Sequence, residues 1–241
     1  MSVLLVTGTG TGVGKTIVTA ALAAVALSQG RRCTVLKPGQ TGIPDDGRGD
    51  LSEVARLAPG ASLVELVRYP DPLSPAAAAR ASGRPPIDPA RCMQAILEAE
   101  ASSDLVLVEG AGGLLVRYDE DGFTMAELAR AMRLPVLVVT QAGLGTLNAT
   151  ALTLEVMATR GLTLDGLVIG AWPAAPGLAE RSNVADLEML AARPLHGALP
   201  DLLADASPER FLAAARQGLA PAYGGSFDAS AFRRAAQVPT G

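Results

Sequence analysis

The chain has one histidine, two cysteines and only 3% aromatic residues in 241. The histidine, His196, has no second imidazole with which to share a metal, and any Ser-His-Asp relay would have to pass through it, so most hydrolase chemistry is excluded. Cys33 and Cys92 lie far apart, match no metal-ligand spacing and frame no disulfide scaffold, which fits a reducing, cytoplasmic setting. Basic charge is not in excess. Twenty Lys and Arg face 24 Asp and Glu, a formal net charge of −4, so no nucleic-acid partner is expected. No apolar run is long enough to span a bilayer and the start, Met1-Ser2-Val3-Leu4-Leu5-Val6, has no cationic leader, so no membrane partner is expected either. No repeat of twenty to fifty residues is visible, which excludes a solenoid.

Aliphatic residues and glycine are abundant: 49% of the chain is hydrophobic and 26 residues are Gly. That composition suits Ala-rich helices packed on aliphatic strands. Val3-Leu4-Leu5-Val6-Thr7 reads as a buried parallel strand stopped by Gly8, and 15–28 as a helix closed by Gln29-Gly30. Thr34-Val35-Leu36-Lys37 reads as a second strand halted by Pro38, with a helix over 50–58. Further strands are expected at 104–109, 135–140 and 166–170, with helices at about 88–101, 124–133 and 147–160 between and before them. Strands alternating with helices imply right-handed crossovers, a parallel sheet covered on both faces, and ligands at the carboxyl ends of the strands. The expected class is α/β: a single-domain parallel sheet flanked by helices, of the P-loop NTPase type, over 1–224, followed by a weakly anchored tail over 225–241. Segments 69–89 and 172–177 read as excursions from the sheet.

The decisive local feature is Gly8-Thr9-Gly10-Thr11-Gly12-Val13-Gly14-Lys15-Thr16, at a strand-to-helix junction. Glycines let successive amide N–H groups and the helix start face an anion, Lys15 reaches phosphate oxygens, and the Thr16 hydroxyl can join a Mg²⁺ shell. The loop resembles a Walker A loop with one extra residue between Gly8 and Gly14, and the dinucleotide GxGxxG pattern fails at Val13. Glu109, ending a buried strand before Gly110-Ala111-Gly112-Gly113, reads as the second acid on that Mg²⁺, against a capping or surface glutamate. Lys37 reads either as a cation for a transferred phosphoryl group or as a snorkelling strand-end lysine, and position does not separate the two. Asp50 is a metal carboxylate or a helix N-cap, with sequence alone favouring the cap. Thr146 and Asn148, after Gly143-Leu144-Gly145, mark an anion site or an ordinary capped helix.

Four separated segments together resemble the dethiobiotin synthetase family. They are the phosphate loop from Val6 to Thr16, Lys37-Pro38 through Thr41-Gly42, Val108-Glu109-Gly110-Ala111-Gly112-Gly113, and Leu144-Gly145-Thr146-Leu147-Asn148. The resemblance implies a cyclo-ligase that takes 7,8-diaminononanoate, CO₂ (or bicarbonate) and a nucleoside triphosphate, ATP or CTP, to dethiobiotin. It implies catalytic roles for Lys15 and Lys37, and a nucleotide site of Gly12, Val13, Gly14, Lys15, Thr16, Ile17, Asp50, Glu109, Gly110, Ala111, Gly112, Gly170, Ala171, Pro200, Asp201 and Leu202. Mg²⁺ would lie on Thr16, Asp50 and Glu109, and Thr11 and Thr41 would meet the diamine or its carbamate. The substrate carboxylate would rest on Gly145, Thr146, Leu147 and Asn148 of a neighbouring subunit, hence a homodimer. Where the family's base-recognising strand ends in an amide-bearing pair, this chain has Gly170-Ala171-Trp172, so base preference is expected to be relaxed or shifted toward CTP. The competing reading is a partitioning or division-site switch ATPase. Gly10 stands where those loops carry a signature lysine, and the acidic chain shows no basic amphipathic terminal helix.

Overall fold

A computed structural model describes residues 2–201, 203 and 205–237. Among these residues, seven strands form one sheet: β1 (Val3–Gly8), β2 (Cys33–Thr41), β3 (Ser62–Tyr69), β4 (Leu105–Gly113), β5 (Val136–Thr140), β6 (Leu164–Trp172) and β7 (Gly197–Pro200). Their order is β3-β2-β4-β1-β5-β6-β7, and every pairing is parallel. The central strands alternate between two cores. Leu4, Leu107, Leu137 and Val168 face the helices α1 (Lys15–Ser28), α2 (Asp50–Leu57) and α8 (Pro208–Gly218). Leu5, Val108, Val138 and Ile169 face the other layer, which includes α4 (Pro89–Ser102), α5 (Met125–Met132), α6 (Thr146–Thr159), α7 (Leu178–Ala191) and α9 (Ala229–Ala236). The central strands are apolar on both faces, the condition for a covered parallel sheet. No helix among the described residues is long and apolar enough to cross a membrane.

The helix from Lys15 to Ser28 forms over its expected residues, because its Ala-rich interior has no breaker before Gly30, where φ is +76°. Two expectations are corrected. β2 does not stop at Pro38: its pairing with β4 ends at Leu36, so the missing proline N–H breaks no ladder bond on that edge, and pairing with β3 continues at Gly39↔Val67. The tail over 225–241 is not loose as far as it is described. Phe227 is buried, α9 packs beside α7, and Phe232 meets Trp172 edge-on at 4.8 Å between ring centroids. Residues 238–241 lie outside the described residues.

The excursion over 69–89 opens with the last residue of β3, an edge strand that carries the Glu65–Arg68 pair and hides its period in mixed polarity. It then forms α3 (Pro75–Ser82), whose leading segment folds back over the carboxyl end of β2.

Candidate active site

The loop between β1 and α1 curls on positive-φ glycines, Gly12 at +74° and Gly14 at +94°. Its first amide is still held by the sheet, with Thr9 N donating to Val139 O at 2.9 Å. Its far side leans on β6. A Cβ on Gly170 would fall 2.0 Å from Val13 O, and one on Gly14 would fall 2.8 Å from Gly170 O. Lys15 folds back over the loop and donates to Gly10 O at 2.8 Å. Its ammonium is lowered to about 8, mainly by burial and then by the neighbouring Lys37 charge, with Glu109 and Asp50 opposing.

Register brings the next group together. β2 and β4 pair at Leu36↔Val108, so Lys37 and Glu109 follow side by side at the carboxyl rim. Lys37 Nζ lies 2.7 Å from Glu109 Oε1 and 2.5 Å from Asp50 Oδ2, the latter in the first residue of α2. Thr16 Oγ1 donates to the same Glu109 Oε1 at 2.9 Å. Burial works against the Lys37 charge, but the Glu109 and Asp50 carboxylates outweigh it and hold the ammonium above its ordinary range. Lys37 is thus a fixed cation 2% exposed, which removes the snorkelling alternative. Asp50 does not cap its helix: Gly49 is the N-cap residue, and the Asp50 carboxylate goes to Lys37.

Thr16, Asp50 and Glu109 supply oxygen donors only. Glu109 is fully buried, and its Oε2 has no hydrogen-bond partner among the described residues, a cost that a cation would relieve. No three His, Cys, Asp or Glu side chains among the described residues form a metal cage. Such a donor set could hold Mg²⁺, which takes one or two carboxylates and completes its shell with waters and substrate phosphates.

These groups line one cleft of about 880 Å³. It brings together Thr11, Gly12, Gly14, Lys15, Thr16, Ile17, Lys37, Thr41, Asp50, Glu109, Ala111 and Gly112. Val13 is buried behind the loop, and Gly110 lies against Met125. Gly170 touches the phosphate loop, while Ala171 continues β6 to Trp172, which pairs with Pro200 and accepts at its carbonyl from Asp201 N at 2.8 Å. Leu202 lies outside the described residues. Gly145, Thr146, Leu147 and Asn148 do not line this cleft. They start α6, where Thr146 Oγ1 donates to Gln141 O at 2.6 Å and Asn183 Nδ2 ties down Ala142 O at 2.8 Å.

A family model described as an AAA domain matches residues 2–209. The ATP-dependent dethiobiotin synthetase of Parafrankia sp. is 58% identical over 97% of this chain and 98% of its own length. That of Streptomyces coelicolor is 54% identical over 96% of this chain and 98% of its own. The chain belongs to the dethiobiotin synthetase family. Solved structures place its fold more widely among P-loop ATPases. The Pyrococcus furiosus cell division ATPase MinD matches with a TM-score of 0.54 at 18% identity, over 89% of this chain and 97% of that one. A ParA family ATPase from Chlorobium tepidum matches with a TM-score of 0.55 at 14% identity, over 89% and 88%. At such identity the likeness is one of fold alone, and the switch-ATPase reading gains nothing further from it.

In this dethiobiotin synthetase family member the cleft also contains residues that sequence reasoning missed. Pro72, Leu73, Pro75 and Val116 give it an apolar wall, and Gly39, Gln40, Gly42 and Ser74 complete the lining. Gln40 lies between Lys37 and Thr41 in a segment already singled out, so proximity in sequence could have found it. The 72–75 segment carries no local signal; only the crossover after β3 returns it to the rim. Below the site the fully buried Tyr118 accepts a hydrogen bond from Ala111 N at its phenol oxygen, and burial raises that phenol to about 12.

Proposed function

We propose that this chain is the synthetase itself: a Mg²⁺-dependent ligase that carboxylates 7,8-diaminononanoate with CO₂ and closes the ring at the expense of a nucleoside triphosphate. The observation that carries this is the Lys37–Glu109–Asp50 cluster, set between the phosphate loop and Thr41 in a cleft whose described lining contains no Cys or His. One amine attacks CO₂ and loses a proton, leaving a carbamate. A carbamate oxygen attacks the γ-phosphorus, the nucleoside diphosphate leaves, and a mixed carbamic-phosphoric anhydride forms. The second amine attacks the carbonyl carbon, phosphate departs, and the cyclic urea closes. Such a sequence requires positioning and charge neutralisation more than covalent catalysis by the protein.

Lys15 and Lys37 neutralise the γ-phosphoryl and carbamate oxygens, and Thr11 and Thr41 hold the diamine end. Thr16, Asp50 and Glu109 would hold Mg²⁺, which when bound neutralises phosphate charge. The 145–148 segment comes from a second copy of the chain and receives the substrate carboxylate. In support, this segment lies outside the cleft of its own chain and is flanked by Leu144, 85% exposed, and Leu152, 60% exposed. The buried free thiols Cys33 and Cys92 agree with a cytoplasmic site of action. Base recognition falls to the main chain at 170–171 and 200–202, so the preference is relaxed or shifted toward CTP.

Phosphate release with Mg²⁺ and bicarbonate, with and without the diamine and across ATP, CTP, GTP and UTP, tests both levels. Diamine-dependent release is expected, and hydrolysis indifferent to the diamine would overturn the synthetase reading. Strict ATP selectivity in competition would overturn the base preference alone.

A further inference from the structure

We propose that Gln40 is a positioning residue: it sets the start of α2, and with it the Asp50 carboxylate, for the cation of the site. This rests on the Mg²⁺–nucleotide reading above. α2 begins after Gly49, which has no side chain to cap it. The first helical N–H, that of Asp50, is taken instead by Gln40 Oε1 from ten residues away at 2.9 Å. The other end of the same amide is also committed, Nε2 donating to Thr41 O at 3.1 Å. Gln40 is 5% exposed, and a Cβ on Gly49 would stand 2.7 Å from its Oε1, so amide and glycine are fitted to each other.

The chain between them is anchored away from Asp50, with Arg68 donating to the Pro44 and Gly47 carbonyls and Arg84 paired with Asp45. Pro44, Asp45, Asp46 and Arg48 are exposed, and the Asp50 side chain keeps 37% of its exposure. Beyond the packing of α2 through Leu51, Val54 and Leu57, Asp50 itself is held at two points, both on β2: its N–H by Gln40 and its carboxylate by Lys37 at 2.5 Å. Removing the first frees the start of α2 and leaves the carboxylate with one polar tether, a lysine that would itself turn toward a phosphoryl group. Groups that orient a metal's ligands typically matter by about 10–100-fold in metal affinity.

Two variants separate positioning from ordinary helix capping. Gln40→Met keeps length and removes both hydrogen bonds. Gln40→Ala with Gly49→Ser clears the close contact and supplies a serine cap, whose hydroxyl serves the N–H of the second or third helical residue and not that of Asp50. Mg²⁺ is titrated by calorimetry into protein with a non-hydrolysable ATP analogue, and thermal unfolding is followed alongside. About tenfold weaker Mg²⁺ binding is expected in both variants, with the serine restoring the unfolding temperature but not the Mg²⁺ affinity. Mg²⁺ affinity within about twofold of wild type in Gln40→Met, or its recovery together with the unfolding temperature in the double variant, would overturn the proposal. The calorimetric arm requires no diamine, so it decides the role of Gln40 even where the synthetase assay fails.

Discussion

The two halves of the sheet's carboxyl rim are built from different materials. At the ends of β2, β4 and β1 the site is made of charged side chains: Lys37, Glu109 and Asp50 locked together, with Thr16 on the same Glu109 oxygen. At the ends of β5, β6 and β7 it is made of main chain and hydroxyls. Gly170 fits against Val13 and Gly14, Trp172 and Pro200 pair through their backbones, and Thr140 joins Thr146 and Thr150 at 2.6 and 2.8 Å. Substitution in the first half changes charge, and substitution in the second changes space.

The sharpest way to probe that contrast is Lys37→Met. It leaves Glu109 fully buried without its cation, and breaking a buried pair by removing one partner costs about 3–5 kcal/mol. Turnover should be lost as well. Adding Glu109→Gln should restore most of the stability in urea denaturation without restoring phosphate release. A double variant as unstable as the single one would mean that packing, not charge, dominates this half. In the other half Gly170→Ala adds one methyl and no charge, yet its Cβ would meet Val13 O at 2.0 Å. The expected cost is about 1–3 kcal/mol by overpacking, with weaker nucleotide binding as the Val13–Gly14 turn shifts. Wild-type stability and affinity in this variant would break the comparison.

The same contrast decides what was legible in the sequence. Lys15, Thr16 and Glu109 stand beside or just after glycines at a strand end or the helix start that follows one, where residue type and position both point to phosphate binding, and the cleft gathers them, whereas the position of Lys37 alone leaves a snorkelling lysine equally open. Asp50 read more readily as a cap, because only the fold shows that its carboxylate turns to Lys37. Gly170 carries no chemistry of its own, and its close approach to Gly14 depends on β5 separating β1 from β6 in the sheet order. The central strands were plain from their aliphatic runs. The edge strand β3 was not, since edge strands carry charges that blur their period. The tail reads as loose because two phenylalanines among small and polar residues do not declare a partner, and Trp172, which meets Phe232, is distant in sequence.

The smallest expected effect lies where the halves meet, at Lys15. Its pKa is lowered from 10.5 to about 8, first by burial and then by Lys37. A base with a folded pKa below its unfolded one binds fewer protons when folded, between those two values. The cost of burying its charge is therefore fully present below about 8, and stability from this group rises with pH up to about 10.5. Nucleotide phosphates favour the charged form, so binding around and above pH 8 must take up a proton. At pH 8 the uptake should be about half a proton, and at pH 6.5 near none; affinity should fall about tenfold from pH 7 to pH 9, roughly 1.4 kcal/mol. Titration calorimetry in two buffers of different ionisation heat reads both quantities. Lys15→Arg, charged throughout this range, should lose the pH dependence even if it binds less tightly, because its broader fork replaces a point charge. A flat affinity in wild type, with heats independent of buffer, would mean that Glu109 and Asp50 already keep Lys15 charged, and that the charged half of the rim extends across the phosphate loop.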